Sequence, residues 1–148
     1  LETYLYNKIR NISYYGTFSV IMLDIDNFKK INDTFGHTVG DEALEETVKL
    51  IRGTLRTRDL VARYGGDEFY IILDGVDNLK DLETVVRKLH DVVEKFNRES
   101  NKPYQIQFSM GYAVYDSNSG TDTETFLKHV DTLMYENKRK KCENRFDK

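Results

Sequence analysis

Residues 18–25 read Phe-Ser-Val-Ile-Met-Leu-Asp-Ile, an apolar, β-branched run of strand length with a single aspartate near its end. Apolar side chains on both alternating faces need cover on both faces, so this run predicts a strand buried inside a layered α/β sandwich. The flanking segments supply the layers. Residues 1–12 predict a short helix, and Phe28–Phe35 a second one closed by Gly36. Asp41–Leu55 carries Leu44, Val48, Ile51 and Leu55 at helical steps of four, three and four. Leu60–Tyr64 and Phe69–Leu73 predict a hairpin around Gly65-Gly66-Asp67-Glu68. Leu79–Phe96 carries one long apolar stripe. Gln105–Tyr115 predicts a strand pair, or one strand bent at Gly111, and Thr123–Lys140 a last helix capped by Asp122. The order is α-β-α-α-β-β-α-β-α, an α/β (α+β) sandwich with a mixed sheet.

Composition narrows the function. With 148 residues, one proline, no Ser/Gly linker and no internal repeat, a single domain is expected. The 10 Tyr, 8 Phe and 39% hydrophobic residues exceed what a disordered chain carries. No apolar run approaches the roughly 20 residues of a membrane span. The 22 basic residues against 25 acidic ones leave a net charge of −3, which argues against a strongly basic nucleic-acid binder. One cysteine excludes a disulfide framework and a cysteine-based zinc site. With no signal peptide or lipidation motif at Leu1, the chain reads as a module excised from a longer, multidomain cytoplasmic protein.

The topology predicts where the acids go. About 35 residues with two helices connect the first strand to the second, a crossover that makes the two strands parallel. Their carboxyl ends then share one sheet edge, where ligand sites in α/β sheets gather. Asp24, Asp67 and Glu68 should converge there although 24 and 67 are more than 40 positions apart. Three converging carboxylates repel unless a cation joins them. Oxygen ligands without His or Cys favour Mg²⁺ or Mn²⁺, and Mg²⁺ on carboxylates draws further ligands from phosphates. The site thus suggests a nucleoside triphosphate. The bland alternatives are a plain polar hairpin tip and a strand-end acid capping the next helix.

Tyr64-Gly65-Gly66-Asp67-Glu68-Phe69 matches the motif of the GGDEF family. Leu23 to Asp33, the segment Gly36-His37-Thr38-Val39-Gly40-Asp41, Ser109-Met110-Gly111, and Asp131, Met134, Tyr135 and Lys138 resemble further family motifs in order and spacing. The resemblance implies a nucleotide-cyclase or palm-like fold with a central sheet of about five strands. It implies a diguanylate cyclase that condenses two GTP into cyclic di-GMP and two pyrophosphates, one GTP per domain, two domains facing each other as a homodimer.

By the family pattern Asp24, Asp67 and the backbone carbonyl of Ile25 hold two metal ions per GTP, and Asp67 accepts the proton. Glu68 is an additional catalytic or ligating acid, and Asp26 a local hydrogen-bonding group. Asn32 and Asp41 match the guanine-reading positions; their acceptors and amide suit the guanine edge, which adenine lacks. His37 is implied near the nucleotide, with a turn histidine as the alternative. The backbone amides of Asn27 and Phe28 suit the terminal phosphates. Lys29 helps there or is simply solvated. Gly65 and Gly66 allow close approach to phosphate. Lys138 matches a phosphate-contacting lysine.

Two ends depart from the pattern. Tyr4 replaces a glycine and Lys8 an arginine of the opening motif. Cys142 falls on the arginine expected after Lys138, with Arg139, Lys141 and Arg145 as candidate substitutes. Arg56-Thr57-Arg58-Asp59, five residues before Gly65-Gly66, matches the family's inhibitory product site, with Arg87 as a supplementary arginine; a surface ion pair is the alternative. His90 and His129 read as structural. The alternative function is a weak or inactive module that senses GTP or cyclic di-GMP. An upstream sensory domain is the expected partner, and neither nucleic acid nor direct membrane contact is.

Overall fold

The computed structural model describes residues 17–146, and the predicted helix over 1–12 with Tyr4 and Lys8 lies outside them. Strand β1 (Phe18–Ile25) leads to helices α1 (Phe28–Phe35) and α2 (His37–Thr54). Strands β2 (Leu60–Tyr64) and β3 (Glu68–Asp74) form the hairpin. Helix α3 (Leu79–Glu99), strand β4 (Phe108–Tyr115), a single 3₁₀ turn (Ser117–Ser119) and helix α4 (Thr123–Phe146) complete the order.

The described residues form one four-stranded sheet in the order β2-β3-β1-β4, antiparallel at every neighbouring pair. This corrects the mixed sheet of about five strands. β1 and β2 do run in the same direction, but the hairpin inserts β3 between them. Residues 105–115 give one strand in place of a pair, and it begins at Phe108: the Asn97 side chain takes both backbone groups of Ile106, at 2.8 and 2.9 Å, while the Gln107 carbonyl accepts from the Asp26 amide at 2.8 Å. α2 begins at His37 rather than Asp41, because Gly36 at φ +92° ends α1 and opens α2 together. Asp122 caps α4 by accepting from the Thr125 amide at 2.7 Å, and the helix runs to Phe146 rather than Lys140.

All eight residues of β1 are buried. The period of two sends Ile21, Leu23 and Ile25 to the face packed with Ile31, Ile51, Leu82 and Leu89 of α1 to α3. Phe18, Val20 and Met22 face Phe126, Leu127, Val130 and Met134 of α4. Asp24 continues that second row. Close packing of α4 on β4 depends on Gly111, where a Cβ would lie 2.3 Å from both the Met134 nitrogen and the Val130 oxygen. No helix among the described residues is long and apolar enough to cross a membrane.

Candidate metal and nucleotide site

The β1–β3 register sets Asp24 opposite Glu68 and Asp24 opposite Ser109 of β4. One step beyond the ladder, the Ile25 amide donates to the Asp67 carbonyl at 3.0 Å, which fixes the hairpin tip against the end of β1. Arg63 donates twice to the Gly66 carbonyl, at 3.2 and 2.7 Å, and Gly65 takes φ +80° in the turn. The outcome is a cluster: Asp24, Asp67 and Glu68 each offer a carboxylate oxygen within 4.8 Å of the others.

The electrostatics of the cluster favour a cation. Asp24 is 2% exposed, and burial pushes its carboxyl up to about 6, with Asp67 adding to the rise and Lys138 opposing it. Burial, then Asp24 and Asp67, raise Glu68 as well. Lys138 donates to Asp24 Oδ2 at 2.6 Å, while Asp24 Oδ1 is buried without a hydrogen-bond partner. An orphaned carboxylate oxygen beside two further acids is the donor set of a hard divalent cation. The residues present therefore fit the divalent metal that the resemblance implies.

Other predicted residues fall at two further places. α1 starts at Phe28, directly after Asp26 and Asn27, so its N-terminus stands at the acid edge, with Lys29 exposed beside it. At the α1–α2 corner the Asn32 amide rests on Gly40, where a Cβ would sit 1.7 Å from Asn32 Oδ1. Asp41 follows Gly40 in the chain, so this contact brings Asn32 and Asp41 to one corner, with His37 exposed on the turn before.

Arg56 and Asp59 lie at the other end of the hairpin, six residues along β3 from Glu68, which is about 20 Å at the strand rise. There the motif binds itself. Asp59 Oδ2 accepts from the Arg56 amide at 2.8 Å and from Nε at 3.2 Å, and Oδ1 accepts from Nη2 at 2.8 Å. Arg56 Nη2 also reaches the Asp74 carbonyl at 2.8 Å. The motif thus closes the loop before β2, and Arg56, Arg58 and Arg87 are exposed.

Sequence reasoning did not foresee a second acid–lysine pair. Asp26 accepts from Ser109 Oγ at 2.6 Å and from Lys141 Nζ at 3.0 Å. Nor did it foresee Asn137, whose Oδ1 accepts from the Met110 amide at 3.1 Å and joins α4 to β4. Helical spacing on α4 was the available signal: Lys138 and Lys141 are three apart and share a face. Cys142 is exposed.

Residues 1–144 match the family model described as the diguanylate cyclase GGDEF domain. The chain is 35% identical over 123 residues to diguanylate cyclase A of Treponema denticola, covering 83% of this chain and 33% of that protein. It is 34% identical over 141 residues to diguanylate cyclase DosC of Escherichia coli, covering 95% and 30%. It thus spans about a third of the length of these curated relatives. The GGDEF domain of PA1120 from Pseudomonas aeruginosa superimposes with a TM-score of 0.79 at 30% identity, over 94% of this chain and 87% of that one. The GGDEF domain of DgcB from Caulobacter crescentus, solved in complex with c-di-GMP, gives 0.77 at 26% identity, over 93% and 82%. Family match, relatives and superposition agree with the hairpin and the acid cluster: the chain belongs to the GGDEF domain family of diguanylate cyclases.

Proposed function

We propose that the domain condenses two molecules of GTP into cyclic di-GMP and two pyrophosphates, across two facing copies of itself. The observation that carries this reading is the convergence of Asp24, Asp67 and Glu68 within 4.8 Å beside the unpartnered Asp24 Oδ1. Asp24, Asp67 and the Ile25 carbonyl would hold Mg²⁺ or Mn²⁺, two ions per GTP, with Glu68 in support. When bound, these ions supply charge stabilisation at the attacking and leaving oxygens.

The remaining work is positioning. Asn32 and Asp41 read the guanine edge, with His37 alongside. The Asn27 and Phe28 amides, at the positive end of α1, receive the terminal phosphates, and Lys29 adds charge there. Gly65 and Gly66 let the hairpin backbone approach them. Lys138 leaves Asp24 Oδ2 to meet phosphate. The 3′-hydroxyl of one GTP forms a bond to the α-phosphorus of the other, its proton passes to Asp67, and the bond to pyrophosphate breaks; a second such event closes the ring. Each domain holds one GTP, so the homodimer is the reactive unit and the rate rises faster than linearly with protein concentration. Arg56, Asp59 and Arg87 form a product site for cyclic di-GMP, which restrains the enzyme. The domain works in the cytosol as one module, under control of an upstream sensory domain.

Chromatography of the products after incubation with GTP and Mg²⁺ tests this. Cyclic di-GMP is expected from the native chain and none from Asp67→Ala; equal product from the variant would refute the mechanism. Cys142, in the place of the family's arginine, favours a second reading, a sensor that binds GTP or cyclic di-GMP without turnover. Calorimetric GTP binding with no product at high protein concentration would select it.

A further inference from the structure

We propose that Lys141 is a positioning residue: through Asp26 it fixes the last turns of α4 against the turn after β1, and thereby where Lys138 stands over Asp24. This rests on the reading of Asp24 as part of the metal and phosphate site.

The geometry is a two-rung ladder. Asp24 is the penultimate residue of β1 and Asp26 opens the turn after it, and both carboxylates are met by lysines of α4. Lys138 and Lys141 are three apart on α4 and are neighbours on its surface. Each lysine takes one aspartate, Lys138 at 2.6 Å and Lys141 at 3.0 Å. Phe126, Leu127, Val130 and Met134, the close approach at Gly111 and the Asn137 bond to the Met110 amide hold α4 as far as residue 137. Lys141 adds an attachment one turn beyond these, on the turn after β1.

The two rungs differ in kind. Asp26 is 7% exposed and held from three sides: Ser109 Oγ donates to Oδ1 at 2.6 Å, Lys141 to Oδ2, and its own amide to the Gln107 carbonyl at 2.8 Å. Lys141 also donates to the Phe108 carbonyl, so one ammonium joins α4, β4 and the turn after β1. Asp24, by contrast, keeps one buried oxygen with no partner. The Lys138 rung is therefore the one that changes when substrate arrives, and the Lys141 rung is the one that has to stay. A buried carboxylate that loses its cation is strongly unfavourable, so Asp26 would not hold its place without Lys141.

The test uses Lys141→Met, which keeps the stem and removes the charge, and Lys141→Arg, which restores it. For the Met variant the circular dichroism is expected to be native, with amides of residues 24–28 exchanging about tenfold faster. Its Mn²⁺ affinity, read by water-proton relaxation, and its kcat should each fall about tenfold, as for other outer-shell partners, and KM for GTP should rise as Lys138 loses its place. Arg at 141 should recover most of each loss. Native exchange at 24–28 together with native Mn²⁺ affinity in the Met variant would overturn the proposal. Should that variant fail to fold, Asp26→Asn serves instead: it keeps the Ser109 contact and should reproduce the same changes, and native behaviour there would overturn the proposal equally. Exchange and Mn²⁺ binding need no turnover, so a chain that makes no cyclic di-GMP would sink the cyclase reading and leave this one to be judged separately.

Discussion

Asp24 and Lys138 lie 114 positions apart in the chain and 2.6 Å apart between Oδ2 and Nζ. The ammonium supports only half of the carboxylate. Oδ1 stays buried and unpartnered, and Asp67 and Glu68 crowd the same space. One lysine against three acids leaves a local excess of negative charge, and that excess is what a divalent cation and a triphosphate together would balance.

The first prediction concerns pH. Burial raises the Asp24 carboxyl from 3.8 to about 6. A raised acid holds its proton more tightly in the folded chain, so its stability contribution is complete below about pH 4 and is lost as pH rises through 6. In EDTA, Asp24→Asn is expected to be about 1–3 kcal/mol more stable than the native chain at pH 7.5 and close to it at pH 4.5. Added Mg²⁺ should stabilise the native chain and not the variant. Urea unfolding at the two pH values measures both effects; a pH-independent difference would contradict this account of Asp24.

A second prediction separates binding from stability at the α1–α2 corner. A methyl at Gly40 would meet the Asn32 amide, the far end of a flexible side chain, and not backbone. Gly40→Ala should therefore leave stability within about 1 kcal/mol of native, helped by alanine's better helix propensity. KM for GTP should rise about tenfold as the amide is pushed aside, the loss of roughly one good hydrogen bond. Thermal unfolding and initial rates decide between this and a uniform loss of stability.

The proposed product site gives a contrast between two arginines. Arg56 is tied to the buried Asp59 and to the Asp74 carbonyl, whereas Arg87 is exposed on α3. Arg56→Ala should weaken cyclic di-GMP binding and also destabilise the fold by about 1–2 kcal/mol, a figure reduced for the solvent that screens its exposed guanidinium. Arg87→Ala should weaken product binding and leave stability native. Calorimetric titration with cyclic di-GMP and urea unfolding of both variants measure the split.

How much of this was legible in the sequence follows from the range of each interaction. β1 and the hairpin are local runs, and the long crossover set the direction of β2, so the meeting of Asp24 with Asp67 could be argued from spacing alone. The sheet's composition could not. Asn97 grips both backbone groups of Ile106 through a tertiary contact, and β4 begins two residues later. The partners of Asp24 and Asp26 were equally hidden, because helical periodicity placed Lys138 and Lys141 on one face of α4 without saying what that face covers. Arg56 and Asp59 were visible as a pair, but their closure onto each other depends on the loop's backbone course before β2.

The proposal that the two aspartates share an ion is tested most directly by anomalous scattering from crystals grown with Mn²⁺ and a non-hydrolysable GTP analogue. The account predicts manganese peaks between the carboxylates of Asp24 and Asp67, against the analogue's phosphates, with Lys138 moved off Asp24 Oδ2. Manganese bound elsewhere, with Asp24 still closed on Lys138 in the nucleotide-loaded domain, would contradict it.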